Sequence, residues 1–198
     1  MFVVLGLGSN RSLNSLDPIH ILASACAVLS GEFSDFRFSS VYRTKPMYVE
    51  NQPNFYNMVV AGDYKKSARE LLLKIHEIEA HFGRNRNEEI RNGQRSLDID
   101  IELFGNQEIH FTDSLTPMNN LEIPHPRIAE RAFVLIPLLE VLPESAEILN
   151  REFFEKSLAK IGNQGAELSL PSSDFARIIA ETEAVYGRTD NRTEPKRN

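Results

Sequence analysis

The chain has 198 residues, 41% hydrophobic and 25% charged, a balance typical of one globular domain with a real core. Its net charge of −6 argues against a general nucleic-acid or anionic-membrane binder, since both partners want a basic surface. A single cysteine, Cys26, excludes an intramolecular disulfide and a cysteine-based zinc cluster, and the apolar opening MFVVLGLG lacks a basic leader and is too short to span a membrane, so the cytoplasm is the expected compartment.

Residues 2–7 read as a buried strand that runs into a turn at Gly8-Ser9-Asn10. Asp17 and Pro18 then supply an N-cap and a first-turn proline for a helix whose apolar stripe is Leu22, Ala25, Cys26 and Leu29 before Gly31. Residues 36–44, rich in aromatic and hydroxyl side chains, predict a second strand, and after a polar, proline-bearing loop residues 55–64 predict a third. Ser67 and Glu70 form a capping box ahead of Leu71, Leu72, Ile75, Ile78 and Phe82, the stripe of a helix ending at Gly83. A charged loop leads to QRSLDIDIEL, residues 94–103. As a strand it puts Leu97, Ile99, Ile101 and Leu103 on one face and Asp98, Asp100 and Glu102 on the other.

The order β-α-β-β-α-β predicts an α+β, ferredoxin-like core with a mostly antiparallel sheet, both helices on one face and long loops over the other. Beyond it, Gly105-Asn106-Gln107 suggests a tight turn with a short returning strand, and RAFVLIPLLEV reads as a core helix. Periodicity fades near Lys160, so residues 1–160 form the expected domain. Residues 161–198 form an extension, partly helical around 175–187 or disordered, with a tail of disordered composition.

Several constellations bear on chemistry. Carboxylates two apart on one strand face repel, so Asp98 and Asp100 mark either a solvated face or a site for a hard cation held together with substrate phosphates. Arg84, Arg86, Arg91 and Arg95 precede them. They are either a solvated loop or guanidinium forks for phosphate oxygens, and acids plus arginines are what phosphoryl transfer needs. Phe55 and Asn57 share a strand face, which suits either a core ring beside a polar residue or the stacking and edge-reading of a flat heterocycle. GLGSN lacks the G-K-[ST] of a phosphate loop and reads as a turn. His76 and His81 are five apart, about 140° around a helix, and cannot share a metal as an i, i+4 pair would. An RNA-binding module on the same fold would show an aromatic-glycine signature and a basic surface, and neither is present.

LGLGSN, YRTKPM, QPNFYNMVV, FGRNR, GQRSLDIDIELFG and IPHPRIAERAFVLIPLLEV together resemble the 6-hydroxymethyl-7,8-dihydropterin pyrophosphokinase family, in the family's order. The resemblance implies transfer of the pyrophosphoryl group of ATP to the hydroxymethyl group of 6-hydroxymethyl-7,8-dihydropterin, with release of AMP, in folate biosynthesis. It implies that Asp98 and Asp100 hold two Mg²⁺ ions and that Arg84 and Arg95 act on the migrating phosphates. It further implies that Phe55 and Phe133 sandwich the pterin, that Asn57 reads its edge, and that Thr44 and Met47 line its pocket. His76, Glu79, Arg86, His125 and Arg131 match nucleotide-side positions. The expected partners are these two small molecules, with no nucleic acid or membrane, and the expected state is a monomer.

Overall fold

The computed structural model describes residues 1–47, 51–84, 93–116, 119–143 and 150–190, with residues 185–190 described by their backbone alone. The chain runs β1 (Phe2–Ser9), α1 (Pro18–Ser30), β2 (Ser34–Phe38), β3 (Val41–Thr44), β4 (Phe55–Asp63), α2 (Ala68–His81) and β5 (Asp98–Phe104). Local chemistry sets the helix starts as the sequence indicates. Asp17 accepts from the His20 amide ahead of Pro18, and the Ser67–Glu70 capping box is complete. In the sheet β1 lies between β5 and β4, and β2 and β3 both pair with β4, all antiparallel. This is the ferredoxin-like arrangement, with one difference. The expected second strand is divided in two at Ser39, whose hydroxyl accepts from the Val59 amide at 2.9 Å and so takes a place in the ladder that backbone would otherwise fill.

Alternation along β1 sorts the interior into two layers. Val3, Leu5 and Leu7 join Ile21, Leu22, Cys26 and Leu29 of α1 and Leu71, Ile75 and Ile78 of α2 in one core. Val4 faces the other way, into a second core with Val59, Ala61 and Leu103. That core is closed by Val134, Leu135, Leu138 and Val141 of α3 (Ala132–Val141) and Phe154 of α4 (Arg151–Ile161). The face opposite α1 and α2 is therefore only partly open: α3 covers one end, and the site occupies the remainder.

The register of β5 explains where that division falls. Leu5 opposes Ile101 while Val4 opposes Leu103, so Glu102 is the extra residue of a β-bulge. Leu97, Ile99 and Ile101 lie in the first core as the alternation requires, but past the bulge Leu103 enters the second core and Phe104 the first. The single-face reading of Leu103 is thereby corrected, and Glu102, on the face of Asp98 and Asp100 by alternation, is 1% exposed.

The returning strand after Gly105 is also corrected. β6 (Ile109–Phe111) pairs with β7 (Leu121–Ile123) in a separate two-stranded sheet, not with β5. The segment past Ile161 contributes more than a helix. β8 (Glu167–Leu170) adds to the edge at β3, and α5 (Ser172–Asp190) lays Phe175 and Ile179 into the first core. Full burial of a side chain such as Phe175 is worth about 1.5–3 kcal/mol. Among the described residues, no helix is long and apolar enough to cross a membrane.

Candidate active site

The uncovered part of the sheet forms the floor of a cleft of about 270 Å³. Gly6 and Gly8 of β1, Asn57 of β4, and Asp98, Asp100 and Glu102 of β5 all line it. The glycines answer to space. A Cβ on Gly6 would stand 2.9 Å from Glu102 Oε1, and one on Gly8 would stand 3.1 Å from Asn57 Oδ1. GLGS is therefore neither a phosphate loop nor a turn but strand, since β1 continues to Ser9 and the turn expected from Gly8 begins later.

Above that floor the charges are organised in pairs. Arg84 bonds one oxygen of Asp98 and Arg95 the other. Arg84 is held from behind by Glu79, 1% exposed, whose carboxylate also accepts from the Ile99 amide at 2.9 Å. Arg95 is set by Asn10. Asn10 Oδ1 accepts from the Arg95 amide at 2.7 Å, and the Asn10 and Arg11 amides donate to Arg95 O at 2.9 and 3.0 Å. The repulsion expected between Asp98 and Asp100 is thus met at Asp98 by two guanidinium groups.

The cost falls further along the strand. Burial and then the Asp98 charge push the Asp100 carboxyl up to about 6, although Arg131 Nη1 stands 3.5 Å away and acts the other way. Glu102 is raised well above the usual carboxylate range by burial and then by Asp100, and neither of its oxygens has a hydrogen-bond partner among the described residues. His125 Nδ1 lies 4.0 Å from Glu102 Oε2 and accepts from the Arg127 amide at 3.1 Å. Burial, followed by Arg131 and Arg127, lowers His125 to about 4, so the imidazole is neutral near pH 7.

The same cleft holds the aromatic group. Phe55 at the start of β4 and Phe133 at the start of α3 both line it, and the Arg131 guanidinium lies 5.7 Å from the Phe133 ring centroid. Asn57 Nδ2 donates to Thr44 Oγ1 at 2.9 Å, so strand pairing of β3 with β4 fixes the amide's orientation. Met47, 48% exposed, closes the outer side. Of the residues singled out from sequence, Thr44, Met47, Phe55, Asn57, Arg84, Arg95, Asp98, Asp100, His125, Arg131 and Phe133 meet here. His76, half-buried on α2, does not line the cleft, and Glu79 reaches it only through Arg84. Arg86 lies outside the described residues. Sequence reasoning missed Lys45, Gln52 and Glu102 on the cleft wall and Asn10 behind Arg95, although the Ser9-Asn10 dipeptide was in view.

Among the described residues no group of three or more His, Cys, Asp or Glu side chains could hold a metal by itself. Two carboxylates open to a cleft are the donor set that suits Mg²⁺, which takes one or two carboxylates and completes its shell from substrate phosphates and water. Asp98 and Asp100 fit that requirement.

Residues 4–143 match the family described as 7,8-dihydro-6-hydroxymethylpterin-pyrophosphokinase (HPPK). A 2-amino-4-hydroxy-6-hydroxymethyldihydropteridine pyrophosphokinase of Aquifex aeolicus is 36% identical over 141 residues, covering 71% of this chain and 80% of that protein. Its namesake in Helicobacter pylori is 34% identical over 138 residues, covering 69% of this chain and 78% of that protein. The mitochondrial folate synthesis bifunctional protein of Pisum sativum is 37% identical over 141 residues, 71% of this chain, which spans only 25% of that longer relative. In fold, the chain is similar to Plasmodium falciparum HPPK-DHPS crystallised with pterin and p-hydroxybenzoate, with a TM-score of 0.55 at 17% identity over 82% of this chain and 44% of that one. By the extent of the family match and the identity to the two bacterial enzymes, the chain belongs to the 7,8-dihydro-6-hydroxymethylpterin-pyrophosphokinase family.

Proposed function

We propose that this chain transfers the pyrophosphoryl group of ATP to the hydroxymethyl group of 6-hydroxymethyl-7,8-dihydropterin and releases AMP. The observation that carries the reading is the convergence on one cleft of an aromatic pair with an edge-reading amide and a cluster of two acids with two arginines. Phe55 and Phe133 stack on the pterin, and Asn57, oriented by Thr44, pairs with its edge. The hydroxymethyl oxygen attacks the β-phosphorus and releases its proton to solvent, the bond from that phosphorus to the oxygen bridging the α-phosphate breaks, and AMP departs. Catalysis of this kind is mainly positioning and charge stabilisation. Arg84 and Arg95 exchange Asp98 for phosphate oxygens when ATP enters, while Arg131 and neutral His125 stand on the nucleotide side. Asp98, once freed of those arginines, and Asp100 would hold two Mg²⁺ ions, which would supply charge neutralisation on the triphosphate.

One chain supplies all of these groups, so the reading needs no second copy and takes a monomer as the working state. The cytoplasm is the proposed setting, although the Pisum sativum relative is described as mitochondrial. The test is product identity. Incubation with ATP, Mg²⁺ and the hydroxymethyl dihydropterin should yield AMP and the pterin pyrophosphate. ADP, or hydrolysis of ATP without a modified pterin, would overturn the assignment.

A further inference from the structure

We infer that Gln164, in the segment beyond the family match, is a positioning residue for Arg131 and Phe133. The proposal rests on the pterin-stacking role given to Phe133 above. The N-terminus of α3 needs an outside partner. Arg131 occupies the N-cap position and makes no side-chain capping bond, and the Ala132 amide is the first of the four helix-start donors that have no partner within the helix. Gln164 supplies the partner. Its Oε1 accepts from the Ala132 amide at 3.0 Å, and its Nε2 donates to Glu130 O at 3.0 Å. One amide thus grips the backbone on both sides of Arg131, one residue before Phe133.

The turn that carries Gln164 is built for this. Gly162, Gln164 and Gly165 all have positive φ (68°, 49° and 74°). Glycine takes that conformation readily, whereas glutamine there is uncommon and is held by its surroundings. Asn163 closes the turn, with its Oδ1 accepting from the Gly165 amide at 3.1 Å and its carbonyl from Ala166 at 2.8 Å. Both ends are anchored. α4 precedes the turn with Phe154 in the second core, and β8 follows it, paired with β3, whose last residue is Thr44. A single turn therefore fixes the start of α3 relative to the strand end that orients Asn57. The space between them, about 170 Å³, is lined by Thr44, Met47, Phe133 and Gln164.

The experiment compares Gln164→Ala, Gln164→Glu and Phe133→Ala with the parent, in the full-length protein. It measures thermal melting, binding of 6-hydroxymethylpterin by calorimetry, and kcat and KM for the dihydropterin. Gln164→Ala should weaken pterin binding and raise its KM about fivefold, the order expected from one lost helix-capping bond. Gln164→Glu keeps an acceptor for the Ala132 amide, at a helix end that favours negative charge, but loses the donor to Glu130 O, so it should raise KM clearly less than the alanine does. A capping role with no bearing on the site would lower the melting temperature and leave KM and pterin affinity unchanged, which overturns the inference. Equal weakening by alanine and glutamate overturns it as well. If Phe133→Ala weakens pterin binding and Gln164→Ala does not, only the role of Gln164 falls. If Phe133→Ala leaves pterin affinity intact, the aromatic assignment falls first and this inference with it.

Discussion

Replacing Glu102 by methionine should stabilise the ligand-free protein. The side chain is 1% exposed, and neither carboxylate oxygen has a hydrogen-bond partner among the described residues. Methionine has the same unbranched length, fills the space above Gly6 and carries no group that needs a partner. Removing one unsatisfied buried polar group is worth about 1–3 kcal/mol. For a domain of this size each kcal/mol moves Tm by about 2–4 °C, so the expected gain is of order 2–12 °C. The pH dependence gives the sharper signature. The folded-state pKa of Glu102 lies above its unfolded value, so the stability associated with its protonated form is complete below the unfolded pKa and is lost as pH rises through the folded one. The difference between variant and parent should therefore be small at pH 4.5 and larger at pH 8. Differential scanning calorimetry without ATP or metal, at both pH values, measures it. A lower Tm for Glu102→Met at pH 8, or an identical difference at both pH values, would mean that the carboxylate is solvated or paired and that the bulge does not bury it.

Three further outcomes are expected. Asp98→Asn and Asp100→Asn should each lower kcat at saturating Mg²⁺ about a hundred- to a thousand-fold, the cost of losing one preorganised electrostatic contact, and steady-state kinetics that match the parent would remove both from the site. Phe55→Ala should weaken pterin binding, including about 0.5–1.5 kcal/mol of aromatic pairing beyond its buried area, and leave ATP binding in the absence of pterin nearly unchanged; equal losses for both ligands in calorimetry would make Phe55 a core residue. Phe175→Ala should destabilise the whole fold by about 3–5 kcal/mol in urea unfolding, because α5 closes the first core, and a change near zero would show that the segment only rests on the surface.

Much of the architecture was legible because it is set by neighbours in sequence. Asp17 with Pro18 and Ser67 with Glu70 start helices through bonds that span three residues, and the stripe from Leu71 to Phe82 needs only a helical period to be seen. The acids and arginines of the cleft were visible for a similar reason, since Arg95 reaches Asp98 from three residues away. What escaped depends on distant partners. Resemblance gives Glu79 a nucleotide-side place, but its burial against Arg84 and the Ile99 amide cannot be read from α2 alone. Glu102 continues the alternation of Asp98 and Asp100 on paper, but the bulge that buries it is set by the register in which Val4 meets Leu103 under α3. β8 has no strong period of its own and is ordered by the edge of β3, while α5 gives two side chains to a core assembled mostly from residues more than a hundred positions earlier.

That pattern has a chemical consequence. A row of three acids on one strand would behave as three similar carboxylates if only sequence neighbours mattered. In the fold each meets a different environment: Asp98 two arginines, Asp100 one more distant arginine, and Glu102 near-complete burial with a neutral imidazole 4.0 Å away. On the proposed reading the first two trade their arginines for cations and phosphates, charge exchanged for charge. Glu102 has nothing to trade. Its carboxyl is raised well above the usual carboxylate range and so offers less countercharge than its two neighbours, and on the proposed reading the acid row therefore narrows to the pair Asp98 and Asp100.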